Sequence, residues 1–180
     1  MTKNAFLKAV LMSLTLTCAA TANAQTATNG DLAARVQALE DRAALRKVVD
    51  MVSVLADRKD VATQMTFFTE NAVLQSTAAG GQTMTLTGRK QIGDAFTAYL
   101  ATFETVYHTN GQQTVDIQGD KATGTTYCQA VLISNENGKR FRNISGVQYD
   151  DEYVRRGETW LIAKRVSRFA WTDRTEVAQR

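Results

Sequence analysis

The stretch that decides the fold is YDDEYVRRGETWLIAKR, residues 149–165. The turn signal Arg156-Gly157-Glu158 divides it into two runs, which is typical of a β-hairpin. We predict that the runs belong to two long strands, residues 140–156 and 159–169. Long strands joined by tight turns indicate an antiparallel sheet rather than alternating strands and helices.

Two further turn signals lie upstream of this hairpin. Asn137-Gly138 is a strong hairpin signal, and Gly119-Asp120 marks another tight turn. They bound a predicted strand at residues 121–134, and a shorter strand at residues 113–118 precedes it. One face of the long strand carries Ala122, Gly124, Thr126, Cys128, Ala130 and Leu132.

Three helices are predicted before these strands. Residues 32–56 repeat apolar side chains at steps of three, four and seven, and Asp31 can cap the helix. Asp60 can cap a short second helix at residues 61–68, and the third helix covers residues 88–104. The apolar residues of the first helix are Val36, Leu39, Leu45, Val48, Val49, Val52 and Ala56.

A short hairpin separates the second and third helices. Residues 72–76 and 82–87 alternate like strands around the turn signal at residues 78–81. The whole order is helix, helix, two strands, helix and four strands. It predicts an α+β fold with a cone-shaped, curved antiparallel or mixed β-sheet and three N-terminal-side helices.

The first residues read as a secretory signal. Lys3 and Lys8 precede an apolar run at residues 9–17, and Ala22-Asn23-Ala24 fits a cleavage site, with the cut after Ala24. The run is shorter than the roughly 20 residues that span a bilayer, so no stable membrane anchor is expected. The signal predicts a periplasmic or secreted protein; the alternative is an ordinary amphipathic helix.

These features divide the chain into four predicted segments. They are a signal peptide at 1–24, a flexible lead-in at 25–30, a domain at 31–171 and a polar tail at 172–180. The length of 180 residues suits a single domain. Without Lys3 and Lys8, the 21 basic residues become 19 against 18 acidic ones, a net charge of +1. Nearly neutral charge gives no support for nucleic-acid binding.

The counts of histidine and cysteine exclude several kinds of site. The chain has one histidine, His108, and two cysteines, so a histidine-rich metal site and a cysteine-pair zinc cluster are excluded. Cys18 lies in the predicted signal, which leaves Cys128 alone in the mature chain. We interpret Cys128 as a small buried apolar residue, with a reactive thiol as the alternative.

Several local patterns resemble the SnoaL-like branch, with its scytalone dehydratase relatives, of the nuclear transport factor 2-like superfamily. In order they are residues 56–60 with 65–73, residues 88–92, residues 106–108 with 115–122, and residues 149–165. The resemblance covers residues 31–171. It implies a cofactor-free dehydratase or isomerase that binds no metal. Its substrate would be a small apolar oxygenated compound, polyketide-, steroid- or aromatic-like.

The resemblance also implies a catalytic pair. His108 matches the catalytic histidine of the dehydratases and Asp57 matches their aspartate, 51 residues earlier. Histidine exchanges a proton near neutral pH, and a carboxylate can orient it. The alternative is a surface histidine and a carboxylate that faces solvent, since Asp57 lies off the apolar stripe of an unbroken helix.

Four aromatic side chains are expected to bind the substrate. They are Phe96, Tyr107, Tyr127 and Tyr149. The phenols of Tyr107, Tyr127, Tyr149 and also Tyr153 can polarise a carbonyl or can simply pack. The chain departs from the dehydratases at Val52 and Ala56, where those enzymes place a tyrosine, and it lacks their second histidine. These departures favour a one-base isomerisation or binding without chemistry.

Other polar and aromatic residues have simpler interpretations. Arg46 and Asp50 lie one turn apart on the side of Asp57; they resemble the water-activating group of epoxide hydrolases in this superfamily or form an ordinary i,i+4 pair. Arg165 and Arg168 are interpreted as mostly structural. Two competing functions remain, a small-ligand binding domain without catalysis and a dimerisation domain, and a homodimer is an expected partner state.

Overall fold

A computed structural model of the chain describes residues 16–78 and 80–178, with side chains from residue 30 onward. The first 15 residues of the predicted signal lie outside this part. The helices are α1 Leu16–Asp57, α2 Val61–Gln64 and α3 Arg89–Ala101, with a 3-10 turn at Met65–Phe67. The strands are β1 Phe68–Thr77, β2 Thr83–Thr87, β3 Thr105–Gln118, β4 Lys121–Glu136, β5 Lys139–Arg156 and β6 Thr159–Val177.

The described part of the chain divides into two units, one that ends at Arg42 and one that begins at Ala43. In the first unit, α1 continues through the predicted lead-in at 25–30, so Asp31 lies inside the helix and pairs with Arg35 instead of capping it. Three side chains of the predicted apolar stripe, Leu32, Val36 and Leu39, are exposed. No helix in the described part of the chain is long and apolar enough to cross a membrane.

The second unit contains the whole sheet, in the strand order β2-β1-β6-β5-β4-β3. All neighbours are antiparallel except β1 and β6, which run parallel. This mixed sheet with three helices confirms the predicted α+β class. Register shifts in β3 and between β5 and β6 add local twist to the long strands.

The core of the second unit lies between the helices and one face of the sheet. The C-terminal part of α1 buries its apolar stripe, which begins at Leu45, against the strands. Trp160, Tyr153 and Phe68 are the largest fully buried side chains. Each such side chain contributes about 1.5–3 kcal/mol of burial free energy, so these positions fix the helices on the sheet.

Several elements differ in length from the sequence prediction. The second helix, predicted to reach residue 68, stops at Gln64, and β1 begins at Phe68 instead of at the predicted residue 72. The tail predicted from residue 172 forms the end of β6 as far as Val177, which lies opposite Arg140 of β5. The strand β6 is longer than predicted because the backbone N–H and C=O groups of the long strand β5 need hydrogen-bond partners along its full length.

Candidate active site

The end of α1 positions an acidic side chain. Asp57 is the last residue of the helix, and Lys59, with a φ of 57°, reverses the chain directly after it. Asp60 then caps α2 by accepting a hydrogen bond of 3.1 Å from the Thr63 backbone N–H. Because the helix ends at Asp57, its carboxylate is free to turn towards β3.

His108 near the start of β3 meets this carboxylate. His108 Nδ1 lies 2.7 Å from Asp57 Oδ1, and the His108 backbone N–H donates to Asp57 Oδ2 over 3.3 Å. The side chains are 13% and 24% exposed, so neither is simply a surface group. Both oxygens of Asp57 therefore hold His108, one through the ring and the other through the main chain.

The contact determines which ring nitrogen is available for chemistry. A carboxylate only accepts hydrogen bonds, so Nδ1 of His108 carries the proton in this contact. In a neutral ring the other nitrogen, Nε2, then has a free lone pair. His108 forms part of the wall of a cavity, and Asp57 does not. Asp57 therefore orients the imidazole from the side of the ring that faces away from the cavity.

The cavity beside His108, called the inner cavity below, has a volume of about 500 Å³. Most of its wall is apolar, which suits a small organic molecule with few polar groups. Its apolar residues come from α1, β1, β2, α3 and β6: Val52, Ala56, Leu74, Met84, Leu86, Ala95, Phe96, Leu100 and Phe169. Its polar residues are Ser53, Gln64, Ser76, His108, Tyr149, Arg165 and Ser167, and Tyr99 completes it.

A buried ion pair provides the cation of this wall. Arg165 Nε and Nη2 each donate to Asp151 over 2.7 Å, and the Tyr153 hydroxyl donates to Asp151 over 2.8 Å. Asp151 raises the pKa of Arg165 above its ordinary value although burial alone would lower it. Arg165 lines the inner cavity, and its Nη1 has no hydrogen-bond partner among the described residues. It is therefore free to donate to an oxygen in the inner cavity.

Tyr149 lies directly under this guanidinium. The Arg165 Cζ atom is 4.4 Å from the centre of the Tyr149 ring, which is a cation–π contact. Burial raises the pKa of the Tyr149 phenol well above its ordinary value, so the group stays protonated at neutral pH. Arg165, interpreted from the sequence as mostly structural, thus contributes both to packing and to the wall of the inner cavity.

Gln64 is a polar residue of this wall that the sequence did not single out. It is 2% exposed, and its Nε2 donates to the Val52 carbonyl over 2.8 Å. That carbonyl can only accept, which fixes the orientation of the amide. Gln64 Oε1 is buried without a hydrogen-bond partner. A buried unpaired acceptor is unfavourable by about 1–3 kcal/mol, which makes Gln64 an unusual residue in this core.

The structure brings only two of the four aromatic candidates to the inner cavity. Phe96 and Tyr149 line it, whereas Tyr107 and Tyr127 are 60% and 53% exposed and lie away from it. Tyr107 and Tyr127 therefore do not line the inner cavity, and their contact with a ligand stays a prediction. Their position follows from strand alternation, because Tyr107 precedes the inward His108 and Tyr127 precedes the inward Cys128.

Arg46 and Asp50 extend the contact between α1 and β3. Arg46 Nε donates to Asp50 over 2.9 Å and Arg46 Nη1 donates to the Gly111 carbonyl over 2.8 Å. Asn110 Nδ2 donates to Asp50 over 3.1 Å, and the Ser53 hydroxyl donates to Asn110 Oδ1 over 3.1 Å. Arg46 and Asp50 do not line the inner cavity. They hold the helix against β3 rather than facing a substrate.

Cys128 lies beneath Tyr149 and is a free, buried thiol. Burial raises its pKa to about 11, so it is not a nucleophile at neutral pH. The prediction of a small buried residue is confirmed. Among residues 16–78 and 80–178 there is no group of three histidine, cysteine or acidic side chains that could hold a metal ion.

Comparisons with known proteins agree with this architecture. A profile of the SnoaL-like domain matches residues 37–166. A putative scytalone dehydratase from Novosphingobium aromaticivorans DSM 12444 superposes with a TM-score of 0.66 at 20% identity, over 79% of this chain and 91% of that one. The hexachlorocyclohexane dehydrochlorinase LinA-type3 from Novosphingobium barchaimii LL02 gives 0.64 at 18% identity, over 79% and 94%.

An NTF2-like protein with a cystatin-like fold, also from Novosphingobium aromaticivorans, gives a TM-score of 0.59 at 24% identity, over 77% of this chain and 87% of that one. At these identities the solved structures establish the fold alone. A search of curated proteins finds no significant match. Because the family profile covers most of the chain, from α1 into β6, the chain belongs to the SnoaL-like domain family.

Proposed function

We propose that this SnoaL-like domain is a cofactor-free lyase or isomerase that removes a proton from a small, mostly apolar oxygenated compound. The observation that carries the proposal is the contact of 2.7 Å between His108 Nδ1 and Asp57 beside an apolar cavity. Polyketide-, steroid- and aromatic-like compounds are the substrate classes of this chemistry that suit such a cavity. The similarity to a putative scytalone dehydratase and to a dehydrochlorinase supports the same type of reaction.

In the proposed reaction, His108 Nε2 takes a proton from the carbon next to a carbonyl group. The electron pair of the broken C–H bond forms a C=C bond, and the carbonyl oxygen becomes an enolate. Arg165 Nη1 donates a hydrogen bond to that oxygen, and Asp57 stabilises the imidazolium ion. If the substrate has a C=C bond between its β- and γ-carbons, return of the proton from His108 to the γ-carbon gives the conjugated isomer. If the β-carbon carries a leaving group, the enolate expels it as a C=C bond forms, and the imidazolium ion of His108 gives its proton to the leaving group or to water.

Hydrogen exchange tests this proposal without knowledge of the natural substrate. β-Tetralone, a small aromatic ketone, is incubated with the protein in D₂O, and loss of its α-proton signal is followed by NMR. We expect exchange faster than in buffer, and we expect His108→Gln to return it to the buffer rate with an unchanged melting temperature. An exchange rate that survives His108→Gln would refute the role of His108.

The second candidate is a binding domain of the same fold without catalysis. Val52 and Ala56, where the dehydratases place a tyrosine, are apolar parts of the inner wall, which favours binding over a second proton transfer. In that case β-tetralone binds but its α-protons exchange at the buffer rate. The predicted signal at residues 1–24 supports a further proposal, that the protein works in the periplasm or outside the cell.

A further inference from the structure

A second cavity adjoins the inner cavity and is called the outer cavity below. It has a volume of about 960 Å³. Four side chains, Ser76, Met84, Tyr99 and Phe169, line both cavities. Met84 and Tyr99 are half exposed, as expected for residues at a rim. A ligand in the inner cavity therefore has the outer cavity as its neighbouring space.

The two cavities differ in chemistry. Hydroxyl and amide side chains line the outer cavity together with the apolar residues Ala78, Met84, Phe103, Leu132 and Phe169. Ser145 and Thr172 hydroxyls lie 3.2 Å apart, so at most one of their hydroxyl hydrogens is used between them. Asn143 Nδ2 donates to the Leu132 carbonyl over 3.4 Å, which leaves Asn143 Oδ1 as an acceptor. The uncharged polar residues that line this cavity on β4 are Ser134 and Asn135.

The outer cavity has no net charge. Its charged side chains, within the described residues, are Arg174 and Glu136, which pair over 2.7 Å. Arg174 also lies 4.1 Å from the centre of the Phe141 ring, and the Ser134 hydroxyl donates to Glu136 over 3.0 Å. Because each charge is already paired, a phosphate or ammonium group gains little here. An aliphatic chain would cover these polar groups and displace the water bound to them. It offers no hydrogen bond in return, so its binding would be unfavourable.

We propose that the outer cavity binds a neutral, hydroxyl-rich extension of the substrate, such as a glycosyl group, while the apolar ring of the same molecule occupies the inner cavity. This inference rests on the proposed function, because it assigns the class of substrate to the same site. Multiple hydroxyl groups match the acceptors and hydroxyls on β4, β5 and β6, and they need no charged partner. The natural substrate is then an amphiphilic compound rather than a bare aromatic ring.

Three naphthalene probes test this assignment by isothermal titration calorimetry on the full chain. They are β-naphthol, its neutral glucoside and its phosphate ester. We expect the glucoside to bind at least tenfold more tightly than naphthol, and the phosphate to bind no more tightly. The double variant Asn143→Leu/Thr172→Val should reduce the advantage of the glucoside below threefold and leave naphthol binding unchanged. Thr123→Val, on β4 outside both cavities, is the matched control.

The assignment is overturned if the glucoside binds no more tightly than naphthol, if the phosphate binds best, or if no probe binds. It is also overturned if the double variant keeps the tenfold advantage. Failure of the catalytic proposal looks different, because it appears as α-proton exchange that does not depend on His108. The glucoside advantage would persist in that case, and the outer cavity would belong to a binding protein.

Discussion

Replacing Asp57 with asparagine removes the negative charge next to His108 Nδ1, on the side of the ring away from the inner cavity, and hardly changes the volume of the side chain. The carboxylate accepts from Nδ1 over 2.7 Å and from the His108 backbone N–H over 3.3 Å. An asparagine can turn its NH₂ group towards Nδ1, which would place the ring proton on Nε2 and leave no base in the inner cavity. If the asparagine instead turns its oxygen towards Nδ1, it accepts a hydrogen bond but carries no charge, so it stabilises the imidazolium ion much less than the carboxylate does.

The size of the effect follows from the geometry. Two unit charges 2.7 Å apart attract by about 6 kcal/mol at an effective dielectric constant of about 20. The asparagine keeps a neutral hydrogen bond of about 1 kcal/mol, and partial exposure of both side chains screens the charges further. About 3 kcal/mol then remains, which corresponds to a loss of about a hundredfold in rate. Removal of acid–base assistance usually lowers a rate by about 10²–10⁴-fold.

The assay is the α-proton exchange of β-tetralone, corrected for exchange in buffer. Asp57→Asn should lower the rate about a hundredfold while the affinity for the ketone changes little, since Asp57 does not line the inner cavity. Asp94→Asn is the matched control, because the one ion pair of Asp94 among the described residues is with Lys90, on the exposed side of α3. Retention of more than half of the rate in Asp57→Asn, or an equal loss in Asp94→Asn, would refute the reasoning.

Three other residues give predictions that need no substrate turnover. Burial raises the pKa of Cys128 from its ordinary value of 9.0 to about 11. The contribution of this thiol to stability is therefore complete below pH 9, and about 3 kcal/mol of it is lost as the pH rises to 11. Cys128→Ala should remove this part of the pH-dependent loss in urea unfolding. Gln64→Met should leave the melting temperature equal or higher, because it removes a buried unpaired acceptor; a clear decrease would show that the bond to Val52 dominates. Asp151→Leu should destabilise by about 3–5 kcal/mol, and adding Arg165→Met should restore much of it, since the unpaired buried cation is the main penalty; additive losses would contradict this.

Turn chemistry made most of the fold predictable. Asn137 and Gly138 both have positive φ angles between β4 and β5, as the hairpin signal requires. Gly119 and Gly157 have the same property at the neighbouring turns. Such positions are local, so the sequence shows them directly. The lengths of β1 and β6 were not predicted, because they depend on partner strands from distant parts of the chain.

The candidate site was predictable only in part, and the limits are geometric. The resemblance pointed to His108 and Asp57, but their contact depends on where α1 ends against β3. Strand alternation alone was enough to separate Tyr107 from the face of His108, and that signal was present in the sequence. The bidentate pair of Arg165 and Asp151 depends on the register between β5 and β6, which shifts nearby, so spacing along the chain does not reveal it.

The parallel pairing of β1 with β6 has a consequence for the order of folding. Val73 lies beside Lys164, so 91 residues, 164 minus 73, separate partners in the middle of the sheet. Contacts this distant along the chain slow folding, because the intervening loop must be closed first. While β6 is still in the ribosome, the strand that links β1 to β5 is missing, and the inner cavity has no Arg165. The sheet therefore stays incomplete until β6 has left the ribosome and can pair with β1.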